Sequence, residues 1–188
     1  MTHHLNWRRI ASAVAVALAA AHAHAQQMVL ADQSEVAFTT RQMGVPVEGK
    51  FRKFSATARI DAAAPHNSSV SMSVDMGSIY FPAPEVVQEA KGVDWLDTSK
   101  FATAEFQSTS VKPLDARRVE VSGPLTIRGR SKALVFPVTV TSEGGQTRAA
   151  GQFVLQRGDF GIGAGAWADP SLVANDVTVK FHLKFKDH

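Results

Sequence analysis

Between Val119 and Val140 the chain alternates in twos. Val119, Val121, Leu125 and Ile127 fall on one side, and Glu120, Ser122, Thr126 and Arg128 on the other. After Arg128-Gly129-Arg130-Ser131 the alternation resumes with Leu134, Phe136, Val138 and Val140. Two such runs joined by a Gly-containing turn predict a β-hairpin with one dry face and one wet face. The same pattern predicts strands over 34–41, 47–60, 69–76, 104–111, 147–156 and 176–186, and places the two arms of the opening hairpin at 117–127 and 132–142. Pro84, a short apolar-spaced run over 85–91 and Gly92 predict one helix inserted mid-chain, too short to persist without docking on the sheet.

Eight one-sided strands bury their apolar faces either as two stacked sheets or by closing on themselves, and closure removes exposed edges. The expected fold class is therefore all-β: an eight-stranded antiparallel barrel with one short inserted helix. A barrel of that size is about the smallest that can hold one elongated ligand. Whether this one is hollow or packed is left open by the pattern. Ala56, Ala58, Gly123, Ala149 and Gly151 share inward faces with large apolar residues. Small inward residues make room either for a ligand or for a bulky neighbour such as Phe106 or Phe136.

Met1 to Ala25 reads as an address rather than as part of the fold. A basic start at Trp7-Arg8-Arg9 precedes an uncharged apolar run, Ile10 to Ala21, too short to span a bilayer. Ala23-His24-Ala25 then offers small residues where a signal peptidase reads, so cleavage is expected between Ala25 and Gln26, with export to the periplasm and one domain over 26–188. Loss of Arg8 and Arg9 takes Lys+Arg from 20 to 18 against 17 Asp+Glu, which leaves a mature net charge of about +1. With the basic residues scattered and no basic stripe interleaved with aromatics, no nucleic-acid partner is expected.

The chain has no Cys, which excludes disulfides, thiolate metal sites, Fe–S clusters and covalent haem. Four of its seven His lie in the first 25 residues, and His66, His182 and His188 share no locality. There is no Gly-x-Ser-x-Gly elbow. Asp94 and Asp97 flank Trp95 in what reads as a solvated corner, and Gly161-x-Gly163-x-Gly165 lacks the strand-to-helix context of a dinucleotide loop and reads as a flexible connection. No enzyme activity, cofactor or metal is expected.

Four segments together resemble the YceI-like family, also called polyisoprenoid-binding or lipid-binding proteins. They are SEVAFTTRQMGVPVEGKFRKFSATARID (34–61), WLDTSKFATAEFQSTSV (95–111), GPLTIRGRSKALVFPV (123–138) and RGDFGIGAG (157–165). The resemblance implies a lipocalin-like barrel around a hydrophobic channel, in a periplasmic or secreted protein. One departure is visible. Many relatives carry an Arg-Asp-x-His-Leu segment before the corner, whereas this chain reads PEVVQEAKGVDWLD there. In this it is similar to the branch found attached to membrane cytochrome b561-type proteins.

The expected function is a non-catalytic carrier for a long-chain amphiphile: an isoprenoid, a quinone or a fatty-acid derivative. Face and size nominate Phe38, Phe54, Met72, Met76, Phe106, Phe136, Phe153 and Phe181 as lining, with Met43, Trp95 and Phe160 at the mouth. The alternative is a packed barrel acting as an interaction module for a membrane redox partner. Homodimerisation through an exposed strand or the 77–91 insertion, and transient membrane contact, are the further partner readings.

Overall fold

The computed structural model describes residues 26–61 and 64–186. The expected signal peptide, 1–25, lies outside the described residues. The strands are β1 (Gln27–Met28), β2 (Glu35–Gln42), β3 (Val45–Phe51), β4 (Phe54–Arg59), β5 (Ser69–Asp75), β6 (Ile79–Tyr80), β7 (Thr103–Gln107), β8 (Ser110–Pro113), β9 (Arg118–Ile127), β10 (Arg130–Glu143), β11 (Gln146–Gln156) and β12 (Asp176–Lys186). Among the described residues there is one α-helix, α1 (Pro84–Lys91), between β6 and β7.

All twelve strands belong to one sheet, ordered β1-β4-β5-β7-β9-β10-β11-β12-β2-β3-β6, with β8 also on β9. Every pairing is antiparallel, and the sheet curls until Val29, just after β1, bridges Phe185 on β12 while β1 itself pairs with β4. The fold is all-β and barrel-like.

The strand count corrects the expected eight. The run 47–60 is two strands, because the chain kinks at Arg52-Lys53, where both backbone N–H groups turn to Ser78. The run 104–111 breaks at Ser108-Thr109, and the short β1 and β6 carry too few residues to show alternation. Hydrophobic period two survives a kink of this kind, so pattern alone merges strands that the hydrogen-bond ladder separates.

The hairpins follow from turn chemistry. Met43-Gly44, Arg128-Gly129 and Gly144-Gly145 each place two residues at positive φ, which suits the right-handed twist of the strands they join. Within β9 and β10 the register pairs Val121 with Phe136 and Gly123 with Leu134, so the dry face predicted for this hairpin is the face that turns inward. Gly123 is required by a close approach: a Cβ there would stand 2.1 Å from the Gln107 carbonyl oxygen, where the chain leaves β7. α1 has Pro84 in its first turn and Gly92 at its C-cap, and docks through buried Ala90 and half-buried Val87.

Candidate functional site

The inward faces of the sheet enclose a cavity of about 890 Å³. Native cores hold few voids larger than a water molecule, and small-molecule pockets run to roughly 300–1,000 Å³. The interior is therefore hollow on the scale of a bound molecule.

Phenyl rings build its middle. Phe136 on β10 has ring centroids of Phe153, Phe106 and Phe181 at 5.0, 5.4 and 5.9 Å, and Phe38 lies 5.5 Å from both Phe51 and Phe81. The small inward residues divide between two uses. Gly49 and Gly151 leave space for Phe38 and Phe181. Ala58 and Ala149 line the cavity themselves, so there the missing volume is channel.

The cavity runs lengthwise. Along β9 both Val119 and Ile127 line it, eight residue steps apart, or about 26 Å at a strand rise of about 3.3 Å per residue. Its two ends differ in chemistry. At the Val119 end the rim carries Arg59, Asp61, Asp115, Arg117 and Arg118. Asp115 accepts hydrogen bonds from the backbone N–H groups of Arg117 and Arg118 and from Arg118 Nε at 2.6 Å. The Arg117 amide first, then the Arg118 side chain, holds its carboxyl below the ordinary 3.8.

At the other end, beside α1, the lining includes Glu85, Glu89, Trp95, Arg157, Trp167 and Val173. Arg157 is 3% exposed, and its five N–H donors all go to backbone carbonyls. Nε donates to Ala174, Nη1 to Ile162 and Gly163, and Nη2 to Trp167 and Val173, at 2.7–3.2 Å. Burial pushes its pKa down from the usual guanidinium value. A Cβ at Gly163 would fall 2.0 Å from Arg157 Nη1, so Gly163 is what lets the loop wrap the guanidinium. The segment expected to be a flexible connection is thus a loop cinched around one arginine.

A second arginine fixes the corner opposite. Arg128 Nη1 donates to the carbonyls of Trp95 and Gly161, and Nη2 to that of Val93. This clamp holds the backbone of the corner that carries Trp95, whose ring lies 5.7 Å from the guanidinium of Arg157 and 5.6 Å from the ring of Trp167. Trp167 Nε1 donates to Glu89 on α1 at 3.0 Å. The Trp95 indole N–H is buried and has no hydrogen-bond partner.

Of the residues nominated from the sequence, Phe38, Met72, Met76, Trp95, Phe106, Phe136, Phe153 and Phe181 line the cavity together. Phe54 packs against the core cluster in the wall and is not among the lining residues. Phe160 is 2% exposed and belongs to the core beneath the α1 end instead of its mouth. Met43 stands 71% exposed at the tip of the β2–β3 hairpin, its amide bonded to Leu172. Arg157, Trp167 and Glu89 were not nominated. The available signal was Arg157 at the head of a segment with three alternating glycines, a sign of backbone held close to something bulky. Among the described residues no group of three or more His, Cys, Asp or Glu is placed to hold a metal.

A family model described as the YceI-like domain matches residues 28–185. The chain belongs to the YceI-like family. A UPF0312 protein of Pseudomonas fluorescens is 33% identical over 122 residues, covering 62% of this chain and 64% of that protein. The match therefore spans a little under two thirds of that relative's length. A UPF0312 protein of Vibrio cholerae is 32% identical over 149 residues, 74% of this chain and 79% of that one. Among solved structures, BcnA of Burkholderia cenocepacia superposes with a TM-score of 0.81 at 35% identity, over 83% of this chain and 98% of its own. A polyisoprenoid binding domain from Saccharophagus degradans superposes with a TM-score of 0.69 at 16% identity, over 87% and 98%; that likeness is one of fold.

Proposed function

We propose that this YceI-like protein is a non-catalytic periplasmic carrier that holds one long-chain amphiphile, such as an isoprenoid, quinone or fatty-acid derivative, along the channel of a lipocalin-like barrel. The observation that carries this reading is the 890 Å³ apolar cavity extending along the strands. A chain-like ligand is the shape that fills such a space. Each buried methylene contributes roughly 0.8 kcal/mol, so ten or more outweigh the cost of immobilising the ligand. The solved relative described as a polyisoprenoid binding domain supports the same ligand class. A cavity of this size supports the carrier reading over the packed interaction module. The test is a homologous series of alkyl probes: affinity should climb with chain length and then level off once the channel is full, and an affinity independent of length would overturn the reading.

The α1 end also supports a transient membrane contact. Met43 and Val45 are 71% and 63% exposed, and Leu172 and Val86 are 39% and 38% exposed. They ring the mouth that Gln42, Val86 and Val173 line. Replacing Met43 and Leu172 together by Asp should slow probe transfer to lipid vesicles without changing equilibrium affinity; an unchanged transfer rate would discard the contact.

A further inference from the structure

We infer that Trp95 is the head-group anchor of the channel, and that it selects amphiphiles ending in a neutral oxygen acceptor (an ester, ketone, amide or alcohol) over those ending in a carboxylate or phosphate. The inference rests on the carrier reading above and narrows its ligand class.

A ligand's polar end arriving beside α1 meets few free groups. Arg157 offers it no hydrogen bond, since all five guanidinium N–H groups are held by backbone carbonyls. Trp167 has given its indole N–H to Glu89. Arg128 is not among the lining residues, and three of its N–H groups go to the carbonyls of Val93, Trp95 and Gly161. The Trp95 indole N–H remains, buried and without a partner, on a residue that lines the cavity.

A buried donor without a partner forfeits the hydrogen bond it had in water, and a ligand oxygen that accepts from it restores that bond. Indole N–H is a donor only, so the matching ligand atom is an acceptor. The charge of the head group is decided by its neighbours. Glu85 and Glu89 stand on the rim, and Arg157, the one cationic side chain among the described residues that line this end, has no N–H left to pair with an anion. A carboxylate or phosphate drawn to this position would be desolvated beside two carboxylates, whereas a neutral carbonyl loses little water. Arg59 and Arg117 are at the opposite end, where both are solvent-exposed, and the tail of a ligand anchored on Trp95 runs toward them.

The experiment pairs two ligands of one chain length, methyl hexadecanoate and hexadecanoate, each displacing a long-chain fluorescent probe at pH 8. The unmodified protein should bind the ester at least tenfold more tightly. Trp95→Phe, which keeps a ring and deletes the N–H, should weaken the ester about tenfold, the worth of one good hydrogen bond, and leave hexadecanoate unchanged. As an independent arm, the double variant Glu85→Gln/Glu89→Gln should narrow the gap by tightening hexadecanoate several-fold, and it remains informative if Trp95→Phe fails to fold. Equal affinities, or an ester unaffected by Trp95→Phe while the probe still binds, overturn the anchor alone. Tighter binding of hexadecanoate that Arg59→Gln/Arg117→Gln abolishes places the head group at the other end and overturns it as well. Failure of the unmodified protein to take up the probe overturns the carrier reading along with it.

Discussion

Gly151 on β11 and Phe181 on β12 face each other in register, and a Cβ on Gly151 would lie 2.6 Å from the far end of the Phe181 ring. The Pro137 carbonyl stands 2.9 Å from the same point, so an added side chain has no second direction to take. The absence of a side chain at 151 is what lets Phe181 lie against the wall and keep the channel open. Gly151→Val should therefore drive Phe181 inward, lower stability by about 1–3 kcal/mol as overpacked cores do, and reduce probe binding. Urea unfolding and probe titration on the same variant check both halves.

Ala58 supplies the contrast. It lines the cavity directly, so a larger side chain there enters open space. Ala58→Leu should leave the unfolding midpoint within about 1 kcal/mol of the parent protein while weakening long-chain probes more than short ones. A large loss of stability in this variant would mean that the space beside Ala58 is already filled.

Arg157 is a structural cation. Its five donors satisfy five carbonyls of the 162–174 loop and the lead-in to β12. Arg157→Lys keeps the charge but supplies at most three donors on one nitrogen, which leaves at least two carbonyls unpaired. The expected loss is about 3 kcal/mol or more. Chemical denaturation measures it, and stability equal to the parent's would show that the fork geometry is dispensable.

Asp115 gives a pH dependence of defined sign. Its folded pKa lies below the ordinary 3.8, held there first by the Arg117 amide. A depressed carboxylate pKa stabilises the fold fully above that ordinary value, and the contribution fades as pH falls through the lower, folded value. Unfolding curves taken between about pH 5 and pH 2 should therefore show a shallower acid decline in Asp115→Asn than in the parent protein, with the two limbs converging at the acid end.

Much of this was legible in the sequence because a curved sheet writes its inside and outside as alternation. Leu125, Ile127, Leu134 and Phe136 could be assigned to one face without any contact map, and Phe106, Phe153 and Phe181 follow by the same rule. Hollowness was not legible. Ala58 and Gly151 look alike in the pattern, yet one opens the channel and the other makes room for a ring. The α1 end was hidden for a different reason. Arg157, Trp95, Glu89 and Trp167 come from four segments up to 78 residues apart, joined by contacts with no period. The same blindness placed Phe160 at the mouth, when it is core.

The central claim is that the channel carries a long-chain amphiphile, and the most direct test is to look for it. The protein, purified without detergent, should show by native mass spectrometry one bound species per chain, and organic-solvent extraction should return that species as a long-chain lipid. Repeated preparations free of lipid, with no uptake of a long-chain probe by the same material, would contradict the account.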